Sequence, residues 1–349
     1  MRAQLTYPFA KPPEHGKPKE VADGVYWLRM PLPFALDHIN LYLLRDGDGW
    51  IIVDTGIRGA QTLEHWERVI DDFFGAQPIK RVLVTHMHPD HAGQAGWLTR
   101  HFGVDLWMTR TEYLMCRLLA EDGPADVPED AISFYRSAGF RQRALDLYQQ
   151  RFGRFGQMIE RLPAGYRRLR DRERLAIDGR EWEVVVGRGH SPEHACLYSA
   201  DHGVLISGDQ VLPRISSNVS VFPTEPQANP LRDWIESCLE LKCHLPADLL
   251  VLPSHNEPFK GLHARLEELV TEHYDNLESL HAYCAEPKQV VEVFPALFRR
   301  EIDGGTLLLA TGESIAHLNY LIETGAMVRE SAPDGVDRYV RSGDFQRPA

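Results

Sequence analysis

The sequence has no CxxC pair, no long apolar run and no excess of basic residues, and each absence excludes a class of protein. An odd number of cysteines, five, argues against a disulfide scaffold or a structural zinc ribbon and favours a reducing, cytoplasmic location. No apolar stretch approaches the roughly 18 residues of a membrane span, and the N-terminal stretch lacks the apolar segment of a signal peptide. With 50 acidic against 38 basic residues, the surface disfavours generic nucleic-acid binding.

What remains is the composition of a globular protein with one unusual feature. Hydrophobic residues make up 43% of the 349 residues and charged residues 25%, which is enough apolar material for a sizeable core. At roughly 150 residues per domain, the length predicts about two domains. The unusual feature is a count of 16 histidines, some of them clustered.

Strand and helix patterns divide the chain into three parts. Residues 1–22 are rich in proline and lysine and predict an irregular lead-in. Residues 23–260 predict a layered domain of strands and helices, interrupted over 111–175 by a helical insertion. Residues 261–349 predict a C-terminal domain whose helices and hairpin resemble a small winged-helix module.

The most informative segment is His86-Met87-His88-Pro89-Asp90-His91, directly after the apolar strand pattern of residues 81–85. Four side chains that can bind a metal fall within these six residues. A regular helix or strand could not turn all four to one side, so the segment predicts a tight loop with the side chains around one point. Neutral imidazole and carboxylate together are the ligands of zinc and related metals.

Three more residues of the same chemistry stand at the ends of later strand patterns. They are His190 after residues 187–189, Asp209 after Ile206-Ser207-Gly208, and His255 after Leu252-Pro253-Ser254. Each alone would be an ordinary polar residue at a strand end. With the cluster they make seven ligands, enough for two metal ions that share one carboxylate.

This combination resembles the metallo-β-lactamase superfamily. The HxHxDH motif of that family is present at residues 86–91, and its VDTG turn at residues 53–56. The resemblance covers about residues 24–260 apart from the insertion, and makes 23–260 the catalytic domain. It implies an α+β fold: the αββα metallo-β-lactamase sandwich, with a helical insertion and a C-terminal winged-helix-like domain. The dinuclear site would lie at one edge of two packed sheets.

Carried over position by position, the resemblance also implies the ligand sets. The first metal would be held by His86, His88 and His190. The second would be held by Asp90, His91 and His255. Asp209 would bridge the two, as in the glyoxalase II-like hydrolases; true β-lactamases lack a bridging aspartate.

Two further residues are predicted to support the ligands without binding metal. Asp54, in the VDTG turn, would accept a hydrogen bond that orients a ligand or the cluster loop. His194, four residues after His190, would serve the site or the fold in a similar way.

The implied cofactors are two divalent metal ions, with Zn²⁺ favoured and iron or manganese as alternatives. Two ions about 3.5–4 Å apart lower the pKa of a water between them and make hydroxide available at neutral pH. That hydroxide would attack the substrate. Asp90 is the predicted catalytic group for the proton, because a ligand carboxylate can also hydrogen-bond the nucleophile. The sequence therefore predicts an enzyme, a metal-dependent hydrolase.

The substrate class is predicted from the insertion and from the charge balance. Apolar residues of the insertion would form a lid over a small-molecule thioester, ester or lactone, or would only pack as a helical subdomain or a homodimer contact. Ten arginines against four acidic residues between Arg141 and Arg174 keep a phosphodiesterase or ribonuclease as the alternative. Glu286–Ala349, with ten acidic and seven basic residues, makes nucleic acid the less favoured partner. No membrane partner is predicted.

Overall fold

The structure is a computed structural model that describes residues 4–122 and 127–348. The chain forms two compact units. The first unit consists of Met1–Asp122, Gly153–Ser217 and Leu241–Arg265. The second consists of Gly123–Phe152, Asn218–Glu240 and Leu266–Ala349. Within the described ranges, no helix combines the length and the apolar character that crossing a membrane requires.

A seven-stranded sheet in the first unit keeps its strands in chain order. Its strands are β1 (Lys19–Ala22), β2 (Val25–Pro31), β3 (His38–Asp46), β4 (Gly49–Val53), β5 (Ile79–Leu83), β6 (Leu106–Met108) and β7 (Arg167–Arg168). Neighbours are antiparallel from β1 to β4 and parallel from β4 to β7. Because β4, β5 and β6 are parallel, the segments that follow them all leave from the same edge of the sheet.

A five-stranded sheet, also in the first unit, has the order β12-β11-β10-β9-β8. Its strands are β8 (Arg174–Ile177), β9 (Arg180–Gly187), β10 (His194–Ser199), β11 (Val204–Gly208) and β12 (Leu250–Pro253). The strands from β8 to β11 pair antiparallel, and β11 pairs with β12 in parallel. The chain therefore leaves β11 and β12 at a common edge, where Asp209 and His255 follow.

The central strands are apolar on both faces because both faces are buried. In β4, Ile51 and Val53 belong to a core that also contains Trp182 and Leu197 of the second sheet. The alternate residue Ile52 belongs to a different core on the opposite face. This pattern gives the continuous apolar runs of fully buried strands rather than the alternation of half-exposed ones.

Helices of the first unit cover the opposite face of the seven-stranded sheet. They are α1 (Ala60–Arg68), which continues as a π-helix over Val69–Phe74, α2 (Pro89–Ala92), α3 (Ala95–Phe102) and α4 (Arg110–Glu121). Trp66, Leu98 and Tyr113 bring α1, α3 and α4 into that core. A short 3₁₀ helix at Phe155–Gln157 follows later in the chain.

The second unit is mainly helical. Its elements include α5 (Glu129–Ser137), α6 (Gln142–Arg151), α9 (Phe294–Leu297) and α10 (Leu307–Glu323), a 3₁₀ turn at Val290–Glu292, and the antiparallel hairpin β13 (Met327–Ser331) and β14 (Asp337–Arg341). Two long helices, α7 (Pro230–His244) and α8 (Leu262–Tyr283), have residues in both units. The order of helix and hairpin agrees with the predicted elements, and the winged-helix assignment stays a prediction.

The predicted helical insertion over 111–175 is wrong at its C-terminal end. Among its described residues, the α-helices end at Arg151 and a 3₁₀ turn follows, and residues 167–168 and 174–177 are strands of the two sheets. The sequence does not predict β7 because both of its residues are arginines. The Arg167 guanidinium lies 4.2 Å from the ring centre of Trp107 on the paired strand β6, so a charged residue can occupy this strand.

Candidate metal centre

The histidine cluster leaves the seven-stranded sheet directly after β5. The chain passes through residues 84–88 without regular structure, and Pro89 starts the short helix α2 at its first position. Proline suits this place because its φ is fixed near the helical value and it has no N–H to satisfy. The sharp turn brings Nε2 of His86 to 3.0 Å from Nδ1 of His88, while His91 is completely buried beside them.

The structure gathers all seven predicted ligand residues into two adjacent groups. In each group the donor atoms lie within 4.8 Å of one another. The first group is His86, His88, His190 and Asp209. The second is Asp90, His91 and His255. Residues from loops after β5, β9, β11 and β12 therefore meet at one place.

Asp209 lies between the two groups and presents one oxygen to each. Its Oδ2 is 3.5 Å from Nε2 of His190 in the first group. Its Oδ1 is 3.5 Å from Nε2 of His91 and 3.5 Å from Nε2 of His255 in the second. A carboxylate placed in this way can contribute one oxygen to each of two cations.

The described side chains fit a bound cation. Nε2 of His91 and Oδ1 of Asp209 are buried, face each other, and make no hydrogen bond with any other described residue. Buried polar atoms are ordinarily paired, so these two atoms require a partner of another kind. An imidazole nitrogen and a carboxylate oxygen are both ligands of zinc-like metals, and a cation would satisfy both.

The pKa values of the ligand residues differ between the first group and the second. Burial and the neighbouring His190 lower the pKa of His88 to about 3, which keeps that ring neutral. Burial alone would also lower the pKa of His255, but Asp209 and Asp90 outweigh it and raise the pKa to about 10. Burial would raise the pKa of Asp90, yet His91 and His255 hold it at about 2. The carboxylates are therefore ionised at neutral pH.

Asp54 holds the cluster loop from below. It directly follows β4 and has a φ of 61°, in the left-handed region, which aspartate tolerates better than most residues. Its Oδ1 accepts the N–H of Thr85 at 2.8 Å. Its Oδ2 lies 2.8 Å from Nδ1 of His91, which leaves Nε2 of that ring for the second group. The carboxylate thereby fixes the orientation of the His91 ring.

His194 and His38 hold the other ligands in the same manner. The backbone N–H of Asp209 donates to Nε2 of His194 at 3.0 Å. The preceding Gly208 has a φ of 53°, and a Cβ there would lie 2.4 Å from the His194 ring, so only glycine fits. Nδ1 of His255 donates to the carbonyl of His38 at 3.0 Å and leaves its Nε2 for Asp90 and Asp209.

One close neighbour of the cluster is not singled out by the sequence. Glu112, in the first turn of α4, has no exposed surface, and its Oε2 accepts the N–H of Met87 at 2.9 Å. The sequence predicts only that it belongs to a helix of the insertion. Its position just after β6 could have indicated it, because β4 and β5 end at the same edge of the sheet and the cluster loop follows β5.

Comparison with known proteins agrees with this geometry. Residues 35–255 match the model of the metallo-beta-lactamase superfamily, and residues 277–342 match that of the metallo-beta-lactamase-like C-terminal domain. The first match covers more than half of the chain. The chain belongs to the metallo-beta-lactamase superfamily and is a metal-dependent hydrolase with the αββα fold.

Three similar proteins span most of the chain. A solved beta-lactamase domain protein from Burkholderia ambifaria is 45% identical, with a TM-score of 0.89 over 97% of this chain and 98% of that one. The probable metallo-hydrolase YqjP of Bacillus subtilis is 24% identical over 86% of this chain and 92% of its own length. The acyl-coenzyme A thioesterase MBLAC2 of Bos taurus is 22% identical over 69% of this chain and 81% of its own.

Proposed function

We propose that the chain hydrolyses small acyl thioesters, with two divalent metal ions held by the two ligand groups. The observation that carries the dinuclear assignment is Asp209, whose two oxygens face different groups. Zn²⁺ is the proposed ion because the donors are imidazole and carboxylate only. When bound, the metal ions supply an activated water at neutral pH and polarise the scissile carbonyl.

Asp90 is the proposed catalytic carboxylate. Its side chain is 19% exposed, whereas those of His91 and His255 are 0% and 4% exposed. Asp90 is therefore the most accessible member of the second group. Its Oδ2 is 3.4 Å from Nε2 of His255. We assign to its other oxygen the transfer of a proton from the attacking water to the leaving group.

The apolar surface that the insertion leaves exposed for an acyl substrate is smaller than the predicted lid. Tyr135, Leu145 and Tyr148 of the insertion form their own core and are not available to a ligand. Leu114 and Leu118, by contrast, are 54% and 56% exposed on α4. They follow Glu112, which touches the cluster loop, by two and six residues, and at about 100° per residue they lie on the side of α4 opposite to Glu112.

The arginine-rich stretch argues for a small molecule rather than a phosphodiester. Three of its arginines pair with carboxylates: Arg167 with Glu173, Arg172 with Glu183, and Arg174 with Glu181. Charge that is already neutralised attracts a phosphate backbone less. The bovine relative, named as an acyl-coenzyme A thioesterase, favours the thioester over the ester and the lactone.

Kinetics on a series of acyl-CoA substrates tests the proposal. With the zinc-loaded protein, kcat/KM should rise as the acyl chain lengthens, because apolar burial stabilises binding by roughly 25 cal/mol per Å². Leu118→Glu should remove this dependence on length. Leu239→Glu changes a comparably exposed leucine on α7 and serves as the matched control, which should behave as the wild type. Preference for bis-p-nitrophenyl phosphate or RNA, with activity falling steeply as salt rises, would replace the proposal by a phosphodiesterase.

A further inference from the structure

Glu112 connects the two loops that carry the first group of ligands. Its carboxylate is completely buried, and each oxygen accepts one backbone N–H. Oε2 accepts from Met87 at 2.9 Å, and Oε1 accepts from Glu193 at 2.8 Å. Bonds between a carboxylate and backbone N–H groups are charge-assisted, so they are stronger than bonds between neutral groups.

The two N–H groups belong to loops that follow strands of different sheets. Met87 lies between His86 and His88 in the loop after β5, in the seven-stranded sheet. Glu193 lies between His190 and His194 in the loop after β9, in the five-stranded sheet. A single carboxylate thus spans the gap between the sheets at the place where the histidines of the first group meet.

The start of α4 is itself tied to the second of these loops. Oγ1 of Thr109 donates to the carbonyl of Glu193 at 2.7 Å. The N–H of Thr111 lies in the first turn of α4 and so has no partner within the helix. It donates to Oε2 of Glu193 at 2.7 Å. The start of α4 is consequently fixed to the loop after β9, and Glu112 on that helix contacts this loop and the loop after β5.

We propose that Glu112 is a positioning residue that sets the separation of His86 and His88 from His190 without binding metal itself. This inference rests on the proposed function, because it concerns the first of the two proposed metal ions. The second group is held by other contacts, those of Asp54 with His91 and of His38 with His255. Loss of Glu112 should therefore weaken one metal ion and spare the other.

Glu112→Gln tests this inference with little change in volume. The amide keeps one oxygen but turns an NH₂ group toward a backbone N–H, so one loop loses its acceptor. Zn²⁺ titration of the metal-free protein against a chelating dye should show two tight ions in the wild type. In the variant, we expect one ion weakened by about 10- to 100-fold, the usual effect of removing an outer hydrogen bond at a metal site, and the other unchanged.

Combination with ligand variants assigns the effect to a group. In a His255→Ala background the remaining ion belongs to the first group, and Glu112→Gln should weaken it. In a His190→Ala background the remaining ion belongs to the second group, and Glu112→Gln should have no effect. Equal weakening in both backgrounds would overturn the inference.

Two more variants separate positioning from folding. Glu112→Asp keeps the charge but is too short to reach both loops, so it should weaken the same ion even if the glutamine variant does not fold. Glu313→Gln makes the same change in a half-buried glutamate of the second unit and should leave both ions unchanged. Equal loss of both ions together with a lower thermal stability of the metal-free protein would reduce Glu112 to a folding role. A wild type that binds no metal would overturn the proposed function as well, whereas two tight ions in Glu112→Gln would overturn this inference alone.

Discussion

Two groups of buried histidines occupy the two units of the chain, and only one of them has the features of a metal site. In the second unit, Nδ1 of His273 lies 3.3 Å from Nε2 of His317. Nδ1 of His317 in turn donates to the backbone carbonyl of Glu313 at 2.8 Å. Burial lowers the pKa of His273 to about 3 and that of His317 to about 4. Both rings are neutral, and hydrogen bonds join them to each other and to the Glu313 carbonyl.

The first unit differs in what faces its histidines. Burial alone would lower the pKa of His91, but the carboxylates of Asp54 and Asp209 raise it well above its ordinary value. Donor atoms from separate loops also converge there instead of bonding in sequence. Buried histidines therefore indicate a cation site where carboxylates surround them and where their ring nitrogens point to a common centre.

Asp209→Ala should have the largest effect on the histidine group of the first unit. The variant removes the carboxylate that faces both groups and leaves two cations with less compensating charge. We expect metal content to fall below two ions per chain by elemental analysis, and hydrolysis of the best acyl-CoA substrate to drop by several orders of magnitude. His317→Leu, in the other histidine group, should keep the full metal content. Activity of Asp209→Ala within about tenfold of the wild type would show that Asp209 does not bridge.

A smaller effect is expected from Asp54→Asn. Asparagine also accepts the left-handed backbone conformation, so the turn should persist, but it loses an oxygen that holds Thr85 or His91. Zinc affinity should fall by about 10- to 100-fold, measured by chelator competition. Asp178→Asn is the matched control, because Asp178 has a φ of 51° and lies in an exposed turn. Equal losses in both variants would mean that the turn, and not the bond to His91, matters.

The pH dependence of stability tests whether the histidines of the second unit are neutral. His317 has a folded pKa of about 4, below the ordinary value of 6.5, so the unfolded chain takes up its proton first as the pH falls. The His317 side chain should therefore lower the free energy of unfolding by about 1.4 kcal/mol for each unit by which the pH falls from 6.5 to 4. Urea unfolding of the metal-free wild type and of His317→Leu measures this difference. A constant difference over that range would contradict the buried, neutral ring.

Glu313 should act with the opposite sign in the same experiment. Burial raises the pKa of its carboxyl from 4.5 to about 7, against the opposing effect of the Asn218 amide. The folded protein therefore holds this proton more tightly than the unfolded chain, and stability is lost as the pH rises from about 4.5 to 7. Glu313→Gln should remove that loss, and its difference from the wild type should grow with pH. If the differences of the two variants from the wild type changed with pH in the same direction, one of the two pKa shifts would have the wrong sign.

The sequence predicts the metal centre better than it predicts its surroundings. His86–His91 can be found because its residue types are unusual and follow a buried strand, and His190, Asp209 and His255 likewise follow strands. Glu112 offers no such pattern, since a glutamate in a helix is usually exposed. Its burial depends on which loops α4 meets in space.

The same physical limit explains the other differences. No pattern in the sequence distinguishes His273 and His317 from the other histidines on helices, because the partner of a helix face is set by tertiary structure. The strands at Arg167–Arg168 and Arg174–Ile177 are missed because arginine stems can pack along a sheet while their charged ends stay paired. Local pattern identifies the ends of apolar strands, but not polar residues that are held by distant partners.

The distribution of the ligands over two sheets has a consequence for biosynthesis. Asp54 and His255 are about 200 positions apart, and the residues of the HxHxDH segment are translated long before His190, Asp209 and His255. Chains are synthesised from the N-terminus, and long-range contacts form late. A nascent chain that ends after β7 offers four donors without the shared carboxylate. We therefore expect stable loading of both ions to follow translation of β12, so that metal uptake reports on completed folding of the sandwich.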